Sequence, residues 1–419
     1  MNFSISSSRR IFAFVFSAGA FLTGQAHAAG FQLTDFSMTG LGRSYAGAGI
    51  VGDDYSAIAF NPAGMTLKGT GGQAGAAVIW QHGRVKGFAE KAGAPGPGGT
   101  ASGKETVSIP VAVPNLFAQY AINDDFRFGL GVYAPFGLAT EYDDDWFGSD
   151  LAVDSELEVI DIAPSLAWRI NDQWSVGASL IARYGRVKMT NTSAIGFSDF
   201  DIDGWGWYGR FGVMYEADEN TRFGVSYQTQ STEVEHTLKG DHTILGRDWI
   251  GGTVTGLPEH WLLSGYHRRG DFGYSASIRY TRWEHFNDFT LTSSSPLGYH
   301  TSKYNWENTW TAALGIDWYY NDVWTWRAGV AFDESPVRGA GTRTVRIPDN
   351  DRFWLSLGFT YKVNKNVKVD VGYAHLYLPT YKARNGYGAT GLGGNPYKTV
   401  DVKYDINAEI LGVQFQYDF

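Results

Sequence analysis

The sequence predicts an all-β chain, a 14-stranded antiparallel transmembrane β-barrel with an N-terminal hatch (plug) inside its lumen. Three observations carry that expectation. Apolar and polar residues alternate strictly over long runs, six short polar turns recur with room for two strands and a loop between them, and aromatic residues make up 16% of the chain. An aromatic-rich chain that alternates, with no long apolar run after its first residues, has the pattern of strands with one lipid-facing side.

The first element is an export signal. Arg9 and Arg10 precede an apolar run over 11–22 that ends at Ala26-His27-Ala28, so residues 1–28 read as a secretory signal peptide. Cleavage after Ala28 removes two Arg and takes the formal net charge from −9 to −11, which argues against a nucleic-acid partner. Cysteine is absent, so no disulfide, thiolate nucleophile or Cys-ligated metal site is available. No later stretch reaches the 18 or so apolar residues of a membrane helix, although the chain holds 53 Gly and a mean hydropathy of −0.23.

Next come about 45 residues that do not alternate, yet keep Phe31, Leu33, Phe36, Met38, Leu41, Ile50, Ile58 and Phe60. A disordered tail would be poorer in these. A barrel of this size is too wide for its own side chains to fill. The expectation is a hatch over 29–72 lying inside a barrel over 73–419.

Alternation is clearest at the C-terminus, where Leu411, Val413, Phe415, Tyr417 and Phe419 interleave with Gly412, Gln414, Gln416 and Asp418. Phe353, Leu355, Leu357, Phe359, Tyr361 and Val363 repeat the pattern, as do Trp324, Trp326, Ala328, Val330 and Phe332. Each run reaches the roughly 9–11 residues that a tilted strand needs. Short turns fall at Asn123-Asp124-Asp125, Asn171-Asp172, Asp218-Glu219-Asn220, Arg269-Gly270-Asp271, Asn321-Asp322 and Asn364-Lys365-Asn366. Six turns on one side, with the chain entering and leaving there, require fourteen strands. The opposite connections, 86–107, 141–154, 191–203, 239–259, 291–304 and 383–397, are longer, which matches barrel asymmetry. The terminal Phe419 suits recognition by the barrel-assembly machinery.

Several motifs sit in order along the chain. Ala29-Gly30-Phe31-Gln32-Leu33, Gly40-Leu41-Gly42-Arg43 and Asn61-Pro62-Ala63 resemble the N-terminal hatch of the FadL family of long-chain fatty acid transporters. Val113-Pro114-Asn115, Tyr184-Gly185-Arg186-Val187-Lys188, Leu257-Pro258-Glu259, the run from Ala331 to Val337 and the run from Ile347 to Trp354 extend the resemblance over the mature chain. It implies passive uptake, in which a hydrophobic ligand is caught among outer loops, passes to a site in the lumen and leaves sideways into the membrane at a kinked strand. Each buried CH₂ is worth about 0.8 kcal/mol, so a lateral exit follows the solvation gradient.

The resemblance assigns Phe31 to the internal ligand site and packs Asn61, Pro62 and Ala63 against the kink. Pro135 and Gly137, which break an otherwise regular strand over 126–140, are the candidate kink. A fatty acid needs a cation for its carboxylate. Arg186 and Lys188, two residues apart and so on one face, are expected in the lumen to supply it, the alternative being an ion pair with Asp161 or Glu158. Ile195, Phe197, Phe200, Ile244, Leu245, Trp249 and Ile250 are the apolar loop residues expected to make first contact.

An enzyme reading, an outer-membrane lipid hydrolase, needs a nucleophile with a histidine base, and Gly-x-Ser-x-Gly is absent. Within the resemblance, uptake of monoaromatic or other hydrocarbons is the competing function and needs no carboxylate partner. The expected setting is the bacterial outer membrane, with its lipid and lipopolysaccharide as neighbours, a monomer, no metal and no cofactor.

Overall fold

Fourteen antiparallel strands close into a ring in the computed structural model, which describes residues 30–91, 100–149, 151–193, 196–232, 234–236, 239–242, 252–254, 256–286, 288–292, 299–384 and 397–419. In chain order they are β1 Gly71–Lys91, β2 Thr100–Ala121, β3 Phe126–Glu141, β4 Asp154–Arg169, β5 Trp174–Ser193, β6 Gly196–Asp218 and β7 Thr221–Gln228. There follow β8 His260–Arg269, β9 Phe272–Thr281, β10 Thr309–Tyr319, β11 Trp324–Asp333, β12 Arg352–Lys362, β13 Val367–Tyr377 and β14 Tyr397–Asp418. Each strand pairs with its sequence neighbours, and β1 pairs with β14 to leave no open edge at the seam. The expected signal segment lies outside the described residues, and β1 starts two residues ahead of the boundary expected at 73.

The six expected turns join successive strands on one side. Four of them share a device in which an Asn side chain accepts two backbone N–H groups further on: Asn123, Asn171, Asn321 and Asn364. An Asx turn of this kind closes a hairpin without glycine. On the other side two connections differ from expectation. Much of 86–107 and 191–203 continues β1–β2 and β5–β6 as paired strands. Above the bilayer both strand faces are wet, so the period-two signal vanishes where the pairing does not. Short strands at Val234–His236, Gly252–Val254, Asp288–Thr292 and Tyr299–Lys303 form a separate four-stranded sheet among these connections.

The apolar face points outward and the polar face inward. Along β14, Leu411 is 56% exposed while Gln414 is fully buried. Gln414 and Gln416 donate to Asp370 of β13 inside the ring. Only lipid makes such an outside favourable, since dozens of large apolar side chains face out on every part of the wall.

Residues 30–70 fill the lumen. Two short helices, α1 Met38–Leu41 and α2 Ala57–Phe60, and a 3-10 turn Pro62–Leu67 are all buried or nearly so. The segment touches β1 at Gln73, β5 at Gly177, β9 at Ser277 and β13 at Gly372, and it also reaches the intervening strands. A segment that meets a closed wall all the way round on its inner face is inside it. Glycines in the wall let it approach: a Cβ on Gly177 would overlap the Pro62 carbonyl, and one on Gly329 would overlap the Arg43 backbone.

Candidate functional site

Among the described residues the wall parts between β2 and β3. β2 pairs with β1 from Thr100 to Gln119 but with β3 only from Ala121↔Arg127 to Asn115↔Tyr133. Above that pair β3 carries an extra residue against β4, the register passing from Tyr133↔Asp161 to Phe136↔Val159. Ala134 and Pro135 occupy this bulge. Pro135 cannot donate to a ladder, so the bulge frees the β2-facing edge of β3 and the two strands part. At the last pair, both polar atoms of the buried Asn115 side chain lack a hydrogen-bond partner among the described residues.

The plug covers the freed edge. Leu33 N–H donates to Pro135 O (2.8 Å) and Gly137 N–H donates to Phe31 O (2.9 Å), with Gln32 opposite Phe136 in an antiparallel bridge. Three plug residues thus replace the missing strand at the residues where Pro135 and Gly137 break the pattern. Just before them, Gly30 N–H donates to Asp349 Oδ2 (2.9 Å), in the Ile347-to-Trp354 run.

Phe31 is 1% exposed and sits in an aromatic cage. Its ring centroid lies 5.8 Å from Phe136, 5.2 Å from Trp283, 4.9 Å from Phe286 and 5.4 Å from Trp306. Leu138, Val159, Leu257, Tyr304, Val337 and Ile347 complete the apolar cluster. On the other side of the same tripeptide, Gln32 and Thr34 line a cavity of about 40 Å³ with Tyr45, Leu262, Ser277, Arg279, Thr311, Asp333 and Trp354. That volume suits a few waters, far short of a long acyl chain. In this arrangement the Phe31 side chain fills the apolar cage.

The placement of Asn61, Pro62 and Ala63 corrects the expectation that they pack on the kink. Asn61 Nδ2 donates to Val213 O (3.1 Å) of β6 and Val225 O (3.4 Å) of β7, and Pro62 and Ala63 abut Gly177 of β5. They dock the plug on β5–β7, and Phe31 to Leu33 meet the kink instead. Elsewhere the plug is held by a buried charge quartet. Arg43 pairs with Asp53 (2.6 Å) and Asp317 (2.9 Å), and Arg327 pairs with the same two carboxylates at 3.0 Å each. Burial alone would raise the Asp53 pKa, but the two guanidinium groups outweigh it and hold the carboxyl well below its usual range.

Arg186 and Lys188 are also corrected, because they face outward. Leu180, on the same strand parity, is 61% exposed, and Tyr184 lies against the outward Trp205 with ring centroids 5.4 Å apart. Arg186 pairs bidentately with Asp201 of β6 at 2.9 and 2.6 Å. The extended β5–β6 hairpin carries both above the lipid, which removes the cost that had argued for the lumen. The inward cation of this strand is Arg183. It pairs with Asp161 at 2.8 and 2.9 Å and lies over the rings of Tyr208 and Phe136. Counting by twos from Leu180 places Arg186 and Lys188 outside, and Arg183, of the opposite parity, falls in phase with the buried Ile181.

Arg210 donates to Tyr133 Oη (2.9 Å), Gln228 Oε1 (2.6 Å) and Ile58 O (3.2 Å), although its buried Nε, like Nη1 of Arg183, has no partner among the described residues. Arg279 differs. It lines the cavity, its buried Nε has no partner, and it forms no ion pair among the described residues, the acid opposite being Asp333. Sequence reasoning missed it for lack of a motif around it. Of the loop residues expected at first contact, Ile195, Ile244, Leu245, Trp249 and Ile250 lie outside the described residues. Phe197 and Phe200 belong to β6, opposite Thr192 and Met189, and their side chains lie outside the description.

A lipid-facing fourteen-stranded barrel with an occupied lumen and a break in its wall defines a class: the plugged transport barrels of the outer membrane. The family described as "Outer membrane protein transport protein (OMPP1/FadL/TodX)" matches residues 19–419, and the chain belongs to it. The chain is 31% identical to the long-chain fatty acid transport protein of Escherichia coli K12, over 96% of this chain and 97% of that one. It is 30% identical to outer membrane protein P1 of Haemophilus influenzae, over 84% and 87%. Among solved structures, a Pseudomonas aeruginosa FadL homologue shares the fold with a TM-score of 0.76 at 24% identity, covering 93% of this chain and all of that one. The Ralstonia pickettii toluene transporter TbuX does so at 0.66 and 18%, covering 92% and 98%. The chain is a multi-pass outer-membrane transport protein, in a family of transporters rather than enzymes.

Proposed function

We propose that the chain takes up long-chain fatty acids passively, with residues 29–72 as the hatch. The acyl chain takes the place of Phe31 in the aromatic cage, and the Phe31–Leu33 segment, on leaving, uncovers the edge of β3 for lateral exit into lipid. The observation that carries the reading is that one tripeptide both fills the apolar cage and seals the break in the wall, so a ligand that displaces it from one displaces it from the other. The curated relatives named for fatty acid transport favour this substrate class over hydrocarbons. Arg279 supports the same choice: a half-buried cation with an unsatisfied donor, lining the cavity on the other side of the Phe31–Leu33 segment from the cage, suits a carboxylate, which toluene lacks.

The test is equilibrium binding of radiolabelled oleate, and separately of toluene, to the purified detergent-solubilised protein. Arg279→Met is expected to weaken oleate binding at least tenfold and to leave toluene unchanged, whereas Arg186→Ala leaves both unchanged. Saturable toluene binding without oleate binding would move the chain to hydrocarbon uptake.

A further inference from the structure

Four lysines form one lateral row on the outer face of the wall. Lys104 of β2 stands directly opposite Lys86 of β1, Lys86 opposite Lys403 of β14, and Lys403 opposite Lys382 of the short strand Tyr381–Arg384. Their neighbours Val85, Val402, Tyr381 and Ala383 are buried inward, so all four lysines point out. Like charges directly opposite one another across a ladder destabilise it. Lys86, Lys104 and Lys403 form no ion pair among the described residues, and Lys382 shares Asp401 with Arg384 (3.6 and 2.9 Å). Arg84 adds a cation two residues below Lys86, opposite Asp405.

A row of lysines is often a guard on an exposed strand edge. That accounts for Lys104, where β2 has parted from β3, and for Lys382 on its short strand. It does not account for Lys86 and Lys403, which sit within a continuously paired wall. Something anionic that spans several strands would turn the repulsion into binding.

The height of the row says what that is. Outward residues are apolar on β1 as far as Trp80 and on β14 as far as Leu411, with Trp80 opposite Glu409. Lys86 lies six residues beyond Trp80, roughly 14 Å further from the bilayer at a rise of about 3.4 Å and a tilt of about 45°. A phospholipid headgroup layer, about 5–8 Å deep, ends below that height. Lysine stems can reach part of the way back. In the outer leaflet the anionic groups that stand above the acyl layer belong to the sugar-phosphate headgroup of lipopolysaccharide.

We infer that Lys104, Lys86, Lys403 and Lys382, with Arg84 and Arg384, form a docking site for the phosphorylated headgroup of one lipopolysaccharide molecule on the β2–β1–β14 wall. This rests on the outer-membrane setting, not on the fatty-acid reading. The test is native mass spectrometry of the full chain in detergent, titrated with phosphorylated rough lipopolysaccharide, the same glycolipid after enzymatic dephosphorylation, and inorganic phosphate.

Wild type and Lys86→Arg/Lys403→Arg are expected to retain one phosphorylated glycolipid. Lys86→Gln/Lys403→Gln should bind it at least tenfold more weakly, while keeping oleate binding and the heat-modifiable gel mobility of a folded barrel. Without glycolipid the Gln variant should be at least as heat-stable as wild type, since repulsion has been removed. Equal retention by wild type and the Gln variant, equal binding of the dephosphorylated form, inorganic phosphate binding as tightly as the glycolipid, or a Gln variant less stable without glycolipid would each overturn the inference.

Discussion

Replacing Phe31 with Ala tests whether the aromatic cage is what keeps the plug tip on the edge of β3. The side chain is wholly buried against four aromatic rings. A Phe→Ala change in such a place costs about 3–5 kcal/mol, and we take about 3 because Trp283 and Phe286 can relax into the space. In this protein the loss falls on local detachment of the tip, since Asn61 and the Arg43 quartet hold the rest of the plug independently. At 1.4 kcal/mol per tenfold, detachment becomes roughly 100-fold more populated. Amide hydrogen exchange reads this directly. The Leu33 and Gly137 amides, which make the two bonds across the bulge, should lose roughly 100-fold protection, while the Asn61 amide, bonded to Ala57 O, keeps its own. Unchanged exchange at Leu33 and Gly137, or equal loss throughout the plug, would refute the reasoning.

Two further predictions concern how the plug is held. Asp53→Asn removes one acid from the quartet and leaves two buried guanidinium groups sharing Asp317, at a cost of about 3 kcal/mol, the low end because Asp53 is partly exposed; exchange at the plug amides around Arg43, not at Leu33, should report it, and a silent variant would show that the quartet does not anchor the plug. Asp35 is buried in the plug beside the Tyr45 hydroxyl, and burial pushes its pKa up to about 6. The native state then holds a proton that the unfolded chain has lost, so plug docking weakens as pH rises from about 4 to about 6 and stays weaker above. Asp35→Asn should flatten that profile and protect the plug at pH 7, measured by exchange at pH 4.5 and pH 7; a profile unchanged by the substitution would contradict it.

What was legible in the sequence was whatever the bilayer and the hairpins impose. Strand number follows from six short polar turns, four of them closed by an Asn side chain, and the lipid face follows from alternation such as Leu411 to Tyr417. The plug was readable as apolar residues without alternation, and Pro135 and Gly137 marked the bulge because a proline removes a ladder bond. What failed was assignment of a face without an anchor. Spacing two put Arg186 and Lys188 together but not inward, and only the parity shared with Leu180 settles the side. Asn61 to Ala63 were misplaced because a motif names residues, whereas its docking partners, Gly177 and Gly212, lie over a hundred residues away and are marked by nothing but a missing side chain. Arg279 has no motif at all, and its place in the cavity is fixed by tertiary register alone.

The measurement that tests the central claim most directly is oleate uptake by Gln32→Cys/Phe136→Cys in a chain with no other cysteine. These residues face each other in the bridge between plug and β3, at a type of pair whose Cα separation of about 4.5 Å admits a disulfide. If the Phe31–Leu33 segment must leave the edge for the ligand to exit, the oxidised variant should be inactive in uptake and the reduced form of the same variant active. Equal uptake by the oxidised and reduced forms would contradict the account and place the exit elsewhere.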